Sequence, residues 1–269
     1  MSAWNVFLWI IFPYICLVTL IIGLIWRWRT DKFGWTTRSS GLYESGWLRI
    51  SSPLFHFGIL FVVLGHFGGL AIPASWTSAM GISEHAYHIV AVTLGSLAGI
   101  ATILGLIGLL IRRFVYRSVR LATSRGDIVM YFFLAIPIGL GAVATAMTQI
   151  FGKPGGYDYR ETISPWFRSI FYFRPEADLM LNVPLVFKLH IIAGLLLFAL
   201  LPFTRLVHAV SPPIFYPVRP YTVYRSKEIR VGHPNVARGW EPTPITPEQV
   251  RNKTETKTAL YIREMADRT

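Results

Sequence analysis

Four of the chain's seven histidines fall within or at the ends of two long apolar runs: His56 and His66 in one, His190 and His208 in the other. An ionisable side chain in such a run is costly, so each is a functional candidate on physical grounds. Neutral imidazole is also the commonest metal ligand. As helix, His56 and His66 stand roughly 15 Å apart in rise and about 80° apart in azimuth. His190 and His208, five full turns apart, share one face and stand roughly 27 Å apart. If the two helices are antiparallel, His66 comes level with His190 and His56 with His208. Two facing imidazoles suit a six-coordinate haem iron, because each offers one nitrogen along the axis of the macrocycle. The unequal rises then require tilted planes or helices. Zinc suits the set less well, since four imidazoles split between two depths cannot close one tetrahedral site. A hydrogen-bonded helix contact is the alternative for any single histidine.

The composition says what must position these residues. Of 269 residues, 53% are hydrophobic and only 15% charged, against roughly 25% charged in soluble domains. A water-soluble monomer is excluded. The single Cys16 lies in an apolar run, which leaves no disulfide, no covalent haem motif and no cysteine cluster for iron–sulfur or zinc. Any metal must be held by histidine. A bilayer core about 30 Å thick needs about 20 apolar residues as helix, and five segments qualify: Trp4–Trp26, Pro53–Ile72, Tyr87–Ile111, Ile128–Ile150 and Val183–Val207. The first has no basic residue before it and no small-residue cleavage site, so it reads as a retained span rather than a signal peptide. The fold class expected is an all-α membrane protein, a bundle of five transmembrane helices.

Charge gives the direction. Arg27, Arg29, Lys32, Arg38 and Arg49 follow the first run, and Arg112, Arg113, Arg117, Arg120 and Arg125 follow the third. The connection 73–86 has no Lys or Arg, and 151–182 balances its basic residues with acids. The positive-inside rule therefore puts the N-terminus outside and the C-terminus in the cytoplasm. Orientation accounts for most of the +12 net charge, and no nucleic-acid module is present. Residues 1–208 make the membrane domain, and 209–269 a basic, partly extended cytoplasmic tail suited to contacting soluble partner subunits. Arg112, Arg113 and Arg205 are inside-facing candidates for haem propionates. Gly58, Gly65, Gly68, Gly69 and Gly194 beside the histidines would admit a flat macrocycle or a neighbouring helix. Lys188 reads as a snorkelling side chain.

Several stretches carry a family resemblance. Ser52-Pro53-Leu54-Phe55-His56-Phe57-Gly58-Ile59-Leu60, Gly65-His66-Phe67, Phe187-Lys188-Leu189-His190 and Leu201-Pro202-Phe203-Thr204-Arg205-Leu206-Val207-His208 resemble the gamma subunit of membrane-bound respiratory nitrate reductase, a cytochrome b. Pro13-Tyr14-Ile15 and the Arg112-Arg113 pair agree, and the likeness runs over about residues 4 to 225. The resemblance implies a multi-pass subunit of the prokaryotic cytoplasmic (inner) membrane with two haem b groups. It assigns an outer, distal haem iron to His66 and His190 and an inner, proximal one to His56 and His208. Electrons would pass from quinol through both haems to an iron–sulfur beta subunit and a molybdenum-containing alpha subunit inside. The family places a basic residue, commonly lysine, near the outer start of the third span to meet the quinol. This chain has no lysine there and offers His85, Tyr87 and His88 instead, with Gly65 beside the distal ligand. His88 is the expected quinol partner. A cytochrome b of a related complex, heterodisulfide-reductase-like or sulfite-related, and a haem-free membrane anchor are the competing readings.

Overall fold

Apolar runs that cannot hydrogen-bond to lipid must satisfy their backbone internally, and helix is the simplest way to do so. A computed structural model of the chain describes residues 2–31, 35, 41, 43–152 and 156–210, and its elements are helical throughout. The described residues belong to one compact unit, Met1–Pro212. The tail beyond Val210 lies outside the described residues, as do Lys32, Arg38 and Lys153. Among the described residues five helices are long and apolar enough to span a membrane: Ala3–Thr30, Gly46–Ala71, Glu84–Val115, Arg125–Ile150 and Leu185–Phe203, hereafter the first to fifth spans. The first four outrun the apolar segments that announce them because polar turns continue the helix. Glu84 opens the third span behind the N-cap Ser83, and Arg112 and Arg113 close it, each sign of charge at the favourable end of the helix dipole. The fourth span starts at a capping box formed by Ser124 and Asp127.

The fifth span corrects one expectation. It does not run as a single helix through His208: α-helix covers Leu185–Leu200, a 3-10 turn covers Leu201–Phe203, Thr204 is extended, and a second 3-10 turn covers Arg205–Val210. Pro202 is the cause, since it lacks the N–H that would bond the carbonyl of Phe198 and its ring crowds that carbonyl. The first span supports the break. Arg27 Nη1 donates to the carbonyls of Pro202 (2.6 Å) and Thr204 (2.9 Å). Gly23 lets Pro202 close in, for a Cβ there would lie 2.9 Å from its ring. The 27 Å straight-helix separation of His190 and His208 therefore does not apply.

Among the described residues the second span packs along the third, the third on the fourth, the fourth on the fifth and the fifth on the first. Small residues explain the choice. A Cβ on Gly58 would lie 2.7 Å from the Thr102 backbone nitrogen, one on Gly105 would lie 2.6 Å from Phe55 Cα, and Gly108 abuts the side chain of Ser51. Phe55, Leu106 and Leu134 form a buried core among the second, third and fourth spans. Toward the His66 end, the helix Ile163–Phe171 packs on the second span, and Trp166 donates to the Trp9 carbonyl at 3.0 Å within a core of Trp9, Ile163, Ile170, Met180 and Val183.

This close approach leaves no room for a larger side chain. Gly105→Leu is expected to cost roughly 1–3 kcal/mol, read as a lower melting temperature of the purified chain in detergent; an unchanged melt would contradict the packing described.

Candidate functional site

Both histidine pairs come together. The ring centres of His66 and His190 are 5.8 Å apart with planes at 38°, and those of His56 and His208 are 6.2 Å apart at 56°. The second span thus faces the fifth through its imidazoles and runs antiparallel to it. Two imidazoles bound on opposite sides of one metal, each with a bond of about 2 Å, place their ring centres roughly 6 Å apart. The observed separations suit that arrangement. They exceed what a direct ring-to-ring hydrogen bond of good geometry needs.

The second nitrogen of each ring is already committed. Nδ1 lies 2.7 Å from the Ser52 carbonyl in His56, 2.8 Å from that of Val62 in His66, 2.9 Å from that of Pro137 in His190 and 2.5 Å from that of Arg205 in His208. A carbonyl oxygen can only accept, so Nδ1 carries the proton in all four and Nε2 is the nitrogen with the lone pair. This is how ligating histidines are commonly oriented. His56 and His66 are exposed, and His190 and His208 half-buried. Uncovered imidazoles in apolar spans are costly unless they hold something.

Gly141 shapes the His66–His190 pair. A Cβ there would stand 2.9 Å from His190 Cε1, so only glycine lets this ring reach the Pro137 carbonyl one turn earlier. Gly65, Gly68 and Gly194 have nothing within 4 Å of where a Cβ would lie, the space a flat group beside the histidines would require. Gly58 and Gly69 are used otherwise: Gly58 meets Thr102, and Gly69 meets Tyr159 at 2.8 Å from its hydroxyl. Among the described residues no three or more His, Cys, Asp or Glu side chains cluster as a metal site. The imidazoles come in twos, which matches a macrocycle that supplies the other four ligands.

The basic residues lie at the His208 end. Arg112, buried, bonds Glu44 through Nε to Oε2 (2.5 Å) and Nη2 to the carbonyl (2.7 Å). Partial burial raises the Glu44 carboxyl, but the Trp47 N–H and the Arg112 guanidinium stabilise its ionised form and hold it below the usual carboxylate range. Arg113 and Arg205 both approach buried Asp127, at 3.9 and 2.5 Å. Lys188 donates to the Leu181 carbonyl at 2.8 Å, reaching toward the span end as a snorkelling side chain does.

Tyr87 and His88, at the other end, have different partners. Arg160 lies 3.9 Å over the Tyr87 ring and bonds Glu84 and Thr77, while the Tyr87 hydroxyl is 3.5 Å from that of Tyr159. His88 Nε2 is 2.8 Å from Gln149 Oε1, and Gln149 Nε2 donates to the Tyr157 carbonyl at 2.8 Å. The Cβ position of Gly65 has nothing within 4 Å, neither Tyr87 nor His88 included, and His85 is exposed. Sequence reasoning missed Gly141, Gln149 and Asp127. For Gly141 a signal existed, because Pro137 and Gly141 sit one turn apart on one face. Gln149 lies in a π-helical turn, Ala146–Ile150, which the sequence does not announce.

Comparison with known proteins adds the family. A family model described as nitrate reductase gamma subunit matches residues 5–227. The nitrate reductase gamma chain of Bacillus subtilis is 47% identical over 82% of this chain and 97% of its own length. The respiratory nitrate reductase 2 gamma chain of Escherichia coli is 35% identical over 83% and 97%. The nitrate reductase-like protein NarX of Mycobacterium tuberculosis is 53% identical over 86% of this chain, which spans only 35% of NarX. With five membrane-length helices and a match over most of its length, this chain belongs to the nitrate reductase gamma subunit family.

Proposed function

We propose that this chain is the membrane cytochrome b subunit of a respiratory nitrate reductase, a quinol-oxidising part of an oxidoreductase. In this reading His66 and His190 hold a distal haem b and His56 and His208 a proximal one. The observation that carries it is the shared state of the four rings: each Nδ1 is bound to a carbonyl, and the rings face each other in two pairs about 6 Å apart. The haems supply reversible one-electron chemistry when bound. The gamma-chain names of the relatives support partnership with other nitrate reductase subunits, here an iron–sulfur beta subunit and a molybdenum-containing alpha subunit. The distribution of Lys and Arg supports a cytoplasmic C-terminus, with the His208 end and the tail facing those partners in the inner membrane. Arg112 pairs with Glu44 and Arg205 with Asp127, and Arg113, 3.9 Å from Asp127, is the cation best placed for a propionate at this end.

Quinol is oxidised at the His66 end, where His88 takes a proton. The Tyr157 carbonyl fixes Gln149 with its amide nitrogen outward, so Oε1 faces His88 and accepts from Nε2–H. Nδ1 of neutral His88 is then the base available to a quinol hydroxyl. Conversion of quinol to quinone releases two protons and two electrons; the protons leave on the outer side and the electrons are delivered inward.

Reduced-minus-oxidised spectroscopy with haem quantification on the purified chain tests the assignment. Two b-type haems per polypeptide are expected, and a colourless or single-haem chain would overturn it. His88→Ala is expected to slow quinol-driven haem reduction by about a hundredfold at unchanged haem content in stopped-flow measurements; normal quinol oxidation would remove His88 from the site.

A further inference from the structure

His208 is the one of the four histidines that lies beyond the spans, on the 3-10 turn Arg205–Val210 after the Pro202 break. A turn this short has little stiffness of its own, so its place must be set by what grips it. Contacts from the core, the first span and the fourth span do so, Leu206 packing against Phe55, Leu106 and Leu134. Val207 is fully buried, and Arg27 of the first span holds the carbonyls just before the turn. The contact from the fourth span reaches the ligand itself. Asp127, buried at the start of the fourth span, binds Arg205 through Oδ1 at 2.5 Å, and the carbonyl of the same Arg205 accepts from His208 Nδ1 at 2.5 Å.

We propose that Asp127 and Arg205 are positioning residues for His208: the Asp127 carboxylate anchors the Arg205 side chain, and the anchored residue's carbonyl sets the tautomer and direction of the imidazole. This rests on the reading of His208 as a haem ligand. Asp127 is fitted for the task because its other oxygen is engaged separately. Oδ2 accepts from the Ser124 N–H at 3.0 Å in the capping box and lies 3.9 Å from Arg113. The carboxylate is thereby held by its own helix before it meets Arg205, and a charge-assisted pair of this kind is directional as well as strong. A ligand whose carbonyl partner is fixed in this way keeps its ring orientation. Loss of Arg205 leaves Asp127 with its cap and with Arg113, so the damage is local to the turn.

The test is Arg205→Gln in membranes carrying the assembled complex, with His208→Ala and Arg205→Lys alongside. Haem-to-chain ratio and redox titration of the difference spectrum are the readouts. Arg205→Gln is expected to remove or shift the spectral component that His208→Ala removes, lowering the ratio from two toward one, while the other component stays unchanged. Arg205→Lys, which keeps a cation on Asp127, is expected to restore it. The proposal is overturned if both components are unchanged in Arg205→Gln. It is equally overturned if both fall together, because the contact would then hold the bundle rather than the ligand. A chain without two haems before any substitution fails the underlying reading instead, and the unaltered protein reports that separately.

Discussion

An imidazole carries two nitrogens of opposite character, and in an apolar helix neither can be left to lipid. The four paired histidines meet this constraint in one way, by giving the Nδ1 proton to a carbonyl oxygen. For His56 and His66 the carbonyl lies one turn earlier in the same helix, so the ring direction follows from helix geometry alone. For His190 it belongs to Pro137 in the fourth span, and for His208 to Arg205 within its own turn. The second span is thus self-sufficient, while the fifth depends on its neighbours. This difference explains why the supporting residues gather around the fifth span: Gly141 beside His190, Arg27 and Gly23 at the Pro202 break, and Asp127 on Arg205.

The remaining architecture keeps the second and fifth spans apart while holding each rigid. Gly58, Gly105 and Gly108 draw the second span onto the third, and the fourth packs along the fifth, so the two histidine-bearing helices are backed by other helices rather than by each other. Buried ions close the His208 end, where Arg112 meets Glu44 and Asp127 meets Arg113 and Arg205. Each such charge would be expensive alone. At the opposite end Arg160 plays the comparable part, joined to Glu84, Thr77 and the face of Tyr87.

Much of this was legible in the sequence. Span number and type follow from apolar length, and the pairing of His66 with His190 and of His56 with His208 follows from one histidine near each end of two antiparallel segments. The helix break was not read, although Pro202 is a strong local signal, because prolines also sit inside the second and fourth spans at Pro53 and Pro137 without ending them. What differs at Pro202 is tertiary: Arg27 and Gly23 are there to accommodate the break. Glycines beside the histidines were ambiguous for the same reason, since Gly58 serves helix packing and Gly65 does not. Gly141 follows Pro137 by one turn and Asp127 completes a capping box with Ser124, but their roles at His190 and Arg205, like that of Gln149 at His88, act across spans and are not read from local pattern.

The central claim is that the four imidazoles work as two specific pairs, and double substitution tests it most directly. Haem content is measured for two combinations, His66→Ala with His190→Ala and His66→Ala with His208→Ala. Within one pair, the double variant should keep one haem per chain; across pairs, it should keep none. Equal haem content in the two combinations would contradict the pairing on which the account rests.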